Sequence, residues 1–171
     1  AVQEESILLF ISYISHGLRH IASSTTKLRC IEMLTAFSQF LSDENKIDRV
    51  IPYLVTCFED DYPNVQALAL QAVSQILYTI KRVNPINENF FLDYLLPRLK
   101  RLLQLSKQNT YMRMVLANCL GDFVTVADHF EELTYFNGSF GPQDGLTHGM
   151  ENLEITNKQI KKLVQQVEEL V

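Results

Sequence analysis

Apolar residues recur every three or four positions along most of this chain, which is the spacing of one face of an α-helix. In the first segment, residues 6–21, the apolar positions are Ile7, Leu8, Ile11, Ile14, Leu18 and Ile21. No segment of useful length alternates apolar and polar residues as a half-buried β-strand does. The pattern therefore predicts an all-α fold.

Polar breaks divide the rest of the chain into further predicted helices. The second helix follows the Ser-Ser-Thr-Thr cluster at 23–26, which offers an N-cap, and carries apolar residues from Leu28 to Leu41. Further helices are predicted at about 47–59, 63–83, 88–105 and 110–131. The tight turn at 60–64 precedes one of them, and the proline at 85 ends it because the residue before a proline disfavours helix.

A proline stands at the same place in two of these helices, at Pro52 and Pro97, 45 residues apart. Each helix is followed by a polar turn and a second apolar helix, which opens at Val65 in one case and at Met112 in the other. Helix pairs that repeat at roughly 40–47 residues are typical of an α-solenoid, in which neighbouring pairs bury each other's apolar faces. We therefore predict an α-solenoid of antiparallel helix pairs, with about three and a half repeats.

Both prolines fall inside predicted helices, and a proline there removes a backbone hydrogen bond and costs about 3 kcal/mol in a straight helix. One interpretation is a bend that lets the first helix of each pair curve over its partner. The other is that each proline begins a shorter helix at its first turn. The repeat holds under either interpretation.

Composition changes along the chain and suggests three parts. Residues 1–132 contain the helical repeats. Residues 133–152 contain four of the chain's six glycines and no periodicity, which predicts a flexible insertion. Residues 153–171 regain amphipathic spacing and are expected to form the first helix of a further repeat.

Charge is distributed unevenly around a net value of −5. Residues 81–113 have a net charge of +5, between flanks of −4 and −6. The basic residues proposed as a candidate interaction surface are Arg82, Arg98, Lys100, Arg101 and Lys107. They form either a solvated face or a dock for an acidic helix or an anionic lipid surface.

No catalytic, cofactor or metal site is predicted. The widely spaced Cys30, Cys57 and Cys119 fit reduced thiols on apolar helix faces, in a reducing compartment. His16 and His20 lie four residues apart but lack a third ligand. The acidic group at 59–61 fits turn and capping roles better than a calcium loop. No Gly-rich nucleotide loop or nucleophile elbow occurs, and no apolar run reaches the ~18 residues that span a bilayer.

The helix pairs, their prolines and the acidic turn resemble HEAT repeats. In that family an Asp in the turn and an Arg early in the second helix commonly form a ladder along the stack. The resemblance places Asp61 and Arg113 at those positions, beside the matching Pro52 and Pro97. Gln66 stands where the alignment puts an Arg, so the ladder is expected to be incomplete.

Three longer stretches are similar to the central HEAT segment of a fungal vacuolar protein sorting fifteen family member. They are 5–16 (ESILLFISYISH), 42–50 (SDENKIDRV) and 93–103 (DYLLPRLKRLL). The resemblance implies a non-catalytic scaffold segment of the regulatory subunit of the class III phosphatidylinositol 3-kinase complex. That subunit organises other subunits for vacuolar and endosomal sorting and for autophagy. The family's kinase-like domain is separate and N-terminal, and none of its motifs lies in this chain.

The resemblance also sets expectations for partners and location. Protein subunits of a lipid kinase complex are the expected partners, with weak or indirect anionic membrane contact, and neither nucleic acid nor a cofactor is expected. The expected location is cytoplasmic, peripheral on endosomal, autophagic and vacuolar membranes. The uncovered helix faces at 7–21 or 155–171 predict self-association.

Two alternatives stay open at this point. One is a HEAT-repeat protein of another kind, a transport receptor or a vesicle-coat adaptor, which would bind a small GTPase or a cargo signal. The other is an all-α enzyme, which would need converging titratable groups in a concave pocket.

Overall fold

The computed structural model describes residues 2–82, 90–106 and 109–138, together with residues 155, 158, 159, 161, 162 and 165. Every regular element among these residues is a helix, which confirms the predicted all-α class. Within the described residues no helix combines the length and the apolar character needed to cross a membrane.

The described helices follow the predicted order. Helix α1 spans Val2–His20 and α2 spans Ser24–Ser38. Helix α3 is a continuous run made of an α segment Asp43–Asn45, a π segment Lys46–Val50, an α segment Ile51–Thr56 and a 3₁₀ turn Cys57–Glu59. Helix α4 spans Pro63–Tyr78. Helix α5 joins a π segment Phe90–Leu95 to an α segment Leu96–Ser106, and α6 spans Thr110–Gly138.

The chain divides into two compact units, Ala1–Ile80 and Lys81–Val171. In the first unit α1 packs against α2, and α3 packs against α4. The first helices of these two pairs also touch, α1 against the π segment of α3, and the second helices touch, α2 against α4. Sequential helix pairs therefore lie side by side in this unit.

The core of the first unit draws on all four of its helices. Its fully or almost fully buried side chains include Ile11, Ile31, Leu34, Val50, Ile51, Leu54, Phe58, Leu70, Val73 and Leu77. Burying one such side chain is worth about 1.5–3 kcal/mol, so these positions provide the main stabilisation of the unit.

In the second unit α5 packs against α6. The buried side chains come from the leucine-rich face of α5 and one face of α6, and include Leu95, Leu99, Leu102, Leu116, Leu120 and Phe123. Lys100 Nζ donates a 2.8 Å hydrogen bond to Gln159 Oε1, which ties α5 to the helical residues near 159.

Both prolines lie inside continuous helical runs, and one residue separates each of them from the end of a π segment. In α3 the Ile51 N–H donates to the Lys46 carbonyl, five residues back, just before Pro52. In α5 the π segment Phe90–Leu95 precedes Pro97 in the same way. A π turn is a recognised way to accommodate an interruption of α-helical bonding. Pro52 lies inside a continuous helical run and also in the first turn of its α segment, so both interpretations of the prolines stay open.

Two helix ends differ from the prediction. Helix α4 ends at Tyr78 rather than near 83, because the Thr79 N–H turns back to the Ile76 and Leu77 carbonyls; the predicted stop at 84–85 lies outside the described residues. Helix α6 continues to Gly138 instead of ending near 131, since residues 131–137 contain neither proline nor glycine. Residues 133–138 thus belong to α6, and the predicted flexible insertion at 133–152 stays a prediction. The rest of that insertion, 139–152, lies outside the described residues.

Candidate interaction surface

The basic residues on α5 divide between two sides of the helix. The buried face of the α segment consists of Leu96, Leu99, Leu102, Leu103 and Ser106. Arg98 and Arg101 are three residues apart and therefore share one side, whereas Lys100 lies on the opposite flank. Lys100 and Arg101 are exposed, and Arg98 is half-buried.

The Arg98 guanidinium lies over the Tyr94 ring, with Cζ 5.4 Å from the ring centroid. This distance is typical of a cation–π contact, which fixes the direction of the arginine. Burial raises the pKa of Tyr94, and the positive charge of Arg98 opposes that rise. The tyrosine therefore stays neutral beneath the cation.

The structure describes four of the five basic residues predicted to form the surface. Arg98 and Arg101 lie together on one side of α5. The Lys100 ammonium donates a hydrogen bond to Gln159 of the same unit. Arg82 is exposed. Lys107 lies outside the described residues. We keep the name basic surface for Arg98 and Arg101.

An ion pair that the sequence analysis missed joins the two helix pairs of the first unit. Lys27 Nζ, near the start of α2, lies 2.5 Å from Asp60 Oδ2 in the turn between α3 and α4. The two side chains are only 15% and 10% exposed. The hydrogen bond to Asp60 raises the pKa of Lys27, against the opposing effect of burial.

The paired carboxylate belongs to Asp60 and not to Asp61, the residue that the sequence analysis selected. Asp60 Oδ1 also accepts the Tyr62 N–H at 3.1 Å, and its carbonyl accepts Gln66 Nε2 at 2.6 Å. Asp60 directly follows the 3₁₀ turn and is half-buried, whereas Asp61 is exposed. Asp60 therefore makes the ion pair and the turn hydrogen bonds that were predicted for Asp61.

The other predicted ladder position, Arg113, makes a local contact. Its Nη2 donates to Thr110 Oγ1 at 3.0 Å, within the first turn of α6. Arg113 is the fourth residue of α6, as Lys27 is of α2 and Gln66 of α4. Lys27 therefore stands at the position of Arg113 when α2, α4 and α6 are aligned by their first residues. This match could have identified Lys27 from the sequence.

A pocket of about 260 Å³ opens beside this ion pair. Its lining residues are Leu18, Arg19, Lys27, Thr56, Cys57, Glu59, Asp60 and Asp61. Burial raises the pKa of Cys57 to about 11, so its thiol is protonated and a poor nucleophile at neutral pH. Lys27 and Asp60 neutralise each other. The pocket can make polar contacts, but these groups do not form a nucleophile with an activating base.

The two histidines considered as metal ligands lie on the same helix. The His16 and His20 rings are 4.8 Å apart on α1. In the part of the chain that the structure describes, no three His, Cys, Asp or Glu side chains are grouped so that they could hold a metal ion. Cys119 is buried like Cys57, and burial likewise raises its pKa to about 11.

Comparison with known proteins gives consistent matches along the chain. The family described as PIK3R4-like, middle domain matches residues 10–171. The chain is 49% identical over 171 residues to the serine/threonine-protein kinase VPS15 of Saccharomyces cerevisiae. It is 32% identical over 170 residues to a non-specific serine/threonine protein kinase of Candida glabrata, and 33% identical over 151 residues to a putative serine/threonine-protein kinase VPS15 of Komagataella pastoris.

These matches cover most of this chain but little of the relatives. They include 99%, 99% and 88% of the chain, and 12%, 12% and 11% of the three relatives in the same order. The chain thus spans about an eighth of the length of these relatives.

Proposed function

The chain belongs to the PIK3R4-like middle-domain family, and from this membership we propose that it is a non-catalytic scaffold segment in the regulatory subunit of a class III phosphatidylinositol 3-kinase complex. The observation that carries the proposal is the 49% identity to VPS15 across 99% of the chain. The membership confirms the resemblance seen in the sequence, and it favours this function over a transport receptor or vesicle-coat adaptor.

We infer a HEAT-like solenoid as the architecture of this segment. The support comes from the first unit, where first helices touch first helices and second helices touch second helices in chain order. The ion pair between Lys27 and Asp60 lies between successive pairs, at the place where a HEAT ladder is expected. Prolines after π segments at equivalent places in α3 and α5 fit the same repeat.

A scaffold of this kind acts by holding surfaces in fixed positions. The densely packed core of the first unit resists deformation, which suits it to that role. The proposed partners are the protein subunits of the lipid kinase complex, working in vacuolar and endosomal sorting and in autophagy on the corresponding membranes. The basic surface is proposed to receive an acidic helix of one such subunit.

The test is co-purification from cells that make the full-length polypeptide with an affinity tag. We expect the phosphatidylinositol 3-kinase catalytic subunit to co-purify, and its recovery to fall when residues 1–138 are deleted in frame. Equal recovery without these residues would contradict the scaffold role. Recovery of a small GTPase or a cargo signal in place of the lipid kinase would support the adaptor alternative.

A further inference from the structure

The basic surface of α5 continues into an exposed apolar side chain. Arg98, Arg101 and Leu105 follow one another at intervals of three and four residues within the α segment Leu96–Ser106. Residues at this spacing share one side of a helix. Leu105 is 56% exposed, Arg101 is exposed and Arg98 is half-buried. We call these three residues the α5 stripe.

Leu105 belongs to a group of exposed apolar side chains at one end of the α5–α6 pair. Helix α6 begins at Thr110, close in sequence to the end of α5, and packs against α5. Its first two turns carry Tyr111 and Met114, which are 54% and 56% exposed. A single exposed leucine is ordinary, whereas a group of exposed apolar side chains is more typical of an interaction site. The α5 stripe therefore has a basic part and an apolar end.

The basic part favours a protein partner over a lipid surface. The Tyr94 ring holds the Arg98 guanidinium, with Cζ 5.4 Å from the ring centroid, so this cation stays close to the helix. Arginine pairs with carboxylates through two parallel hydrogen bonds. The regions on either side, 1–80 and 114–171, have net charges of −4 and −6, which an anionic membrane would repel.

The spacing of the α5 stripe determines the pattern of a helix that packs along it. From Arg98 to Leu105 the stripe covers about 10 Å of helix axis, or two turns. Alternating steps of three and four residues are the spacing at which two helices pack along each other. The partner therefore faces the two arginines with acidic residues, by charge complementarity. It faces Leu105 with an apolar residue, because a charge buried there would lose its hydration.

We propose that the α5 stripe binds an amphipathic helix of another protein, which carries two acidic residues three or four positions apart and an apolar residue one turn beyond them. The apolar residue of that helix lies towards the end of α5 that leads into α6. This inference deepens the proposed role of the basic surface and rests on the proposed function for the presence of a protein partner. It adds Leu105 as a residue that determines specificity.

The salt dependence of binding distinguishes the two parts of the stripe. In the full-length polypeptide we expect Leu105→Ser to weaken partner binding about tenfold at every salt concentration, because salt does not screen an apolar contact. Arg98→Gln with Arg101→Gln should weaken binding mainly at low salt and flatten its salt dependence. The matched control is Gln104→Ser, since Gln104 is exposed and lies about 100° around the helix from Leu105.

Photo-crosslinking identifies the partner segment. The amino acid p-benzoylphenylalanine is placed at position 105 of the full-length polypeptide, with position 104 as the control, and the cross-linked peptide is sequenced. We expect position 105 to cross-link at least tenfold more than position 104, to a helix of another protein with the acidic and apolar pattern described above. Circular dichroism of each variant establishes that it is folded before binding or yields are compared.

Four outcomes would overturn the inference. The first is equal binding by the Leu105→Ser and Gln104→Ser variants. The second is a cross-link from position 105 to phospholipid, which would make the stripe a membrane contact. The third is a cross-link within the same polypeptide or between two copies of it. The fourth is a cross-linked segment that lacks the acidic pair.

The same preparations separate this inference from the proposed function. If recovery of the lipid kinase falls on deletion of residues 1–138 but Leu105→Ser binds as the control does, only the present inference fails. If that deletion leaves kinase recovery unchanged while position 105 cross-links to an acidic amphipathic helix of a different protein, the proposed function fails and the α5 stripe stands as a binding site.

Discussion

The ion pair between Lys27 and Asp60 joins two helix pairs at the edge of an open pocket. Exposed ion pairs contribute little because solvent screens them. These side chains are only 15% and 10% exposed, so removing one partner leaves the other poorly solvated. The pair therefore matters to the register of α2 against the α3–α4 turn.

Replacing Lys27 with Met tests this contribution. We expect Lys27→Met to lower the free energy of unfolding by about 2 kcal/mol, since a hydrogen bond between charged groups is lost. Chemical denaturation at pH 7 measures the change. Asp60→Asn keeps an acceptor for the Tyr62 N–H, and the double variant should cost less than the sum of the two single losses. Strict additivity would show that the two side chains do not interact.

Glu4 forms a second link between the helix pairs. Its Oε1 accepts the backbone N–H of Ser42 and the side-chain amide of Asn45, each at 2.8 Å. The Ser42 bond is the main cause that lowers the pKa of Glu4 from 4.5 to about 2, and the Asn45 bond adds to it. The carboxylate thus connects α1 to the beginning of α3.

This depressed pKa predicts a pH dependence of stability. A group whose pKa is lowered by folding stabilises the protein above its unfolded value, here 4.5, and this contribution is lost as the pH falls towards about 2. We expect Glu4→Gln to flatten the loss of stability between those two pH values. Urea midpoints across this range measure it. Glu5→Gln, at an exposed neighbour, is the control and should follow the parent curve.

At the scale of the helix, the π segments explain how α3 and α5 tolerate their prolines. A proline has no N–H to donate and clashes with the preceding turn of a regular α-helix. In α3 the chain changes from π to α hydrogen bonding at Ile51, one residue before Pro52. The wider turn therefore lies where a straight α-helix would be strained.

The stability of proline variants distinguishes an accommodated proline from a strained one. Removing a strained interior proline would stabilise the protein by about 3 kcal/mol. We expect Pro52→Ala to change the free energy of unfolding by less than about 1 kcal/mol, because the new hydrogen bond offsets a more flexible unfolded chain. Denaturant titration measures it, with Pro97→Ala as the second case. A gain near 3 kcal/mol would show that the π turn does not relieve the strain.

Helix type was predictable from local spacing, but helix ends were not in every case. Helix α4 ends at Tyr78 because its last carbonyls accept hydrogen bonds from the turn at Thr79. The sequence has no helix-breaking residue at this point that would predict the end. Helix α6 continues to Gly138 because the chain there contains nothing that stops a helix, although its composition had suggested an insertion. Composition is a weak guide where no proline or glycine fixes the boundary.

At the scale of the whole molecule, the effect of the positive charge in residues 81–113 depends on where the fold places the basic side chains. The sequence groups the basic residues in one stretch, and the fold turns Arg98 and Arg101 to one side of α5 and Lys100 to the other. The pair that shares a side is placed to act together on a partner. The useful experiment therefore changes two residues rather than the whole band.

Reversing the charge of the basic surface tests its proposed role. We expect Arg98→Glu with Arg101→Glu to weaken binding of the lipid kinase complex about tenfold, through lost electrostatic complementarity. Lys158→Glu with Lys162→Glu changes the net charge equally at exposed sites outside the basic surface and should have little effect. Pull-down titrations measure both variants. Loss of binding to anionic vesicles with protein binding intact would indicate a lipid surface.

Taken by itself, the sequence determined the helical class, the order of the helices and the family. These depend on periodicity and on long runs of matching residues, both of which are local properties of the chain. The self-association expected from uncovered helix faces stays a prediction.

The tertiary structure alone decided which carboxylate holds Lys27, which sides of α5 carry its charges, and that Glu4 reaches the start of α3. Each of these depends on distances between helices that are far apart in sequence. Periodicity states which face of a helix is buried, but not which residue of a neighbouring helix will meet it.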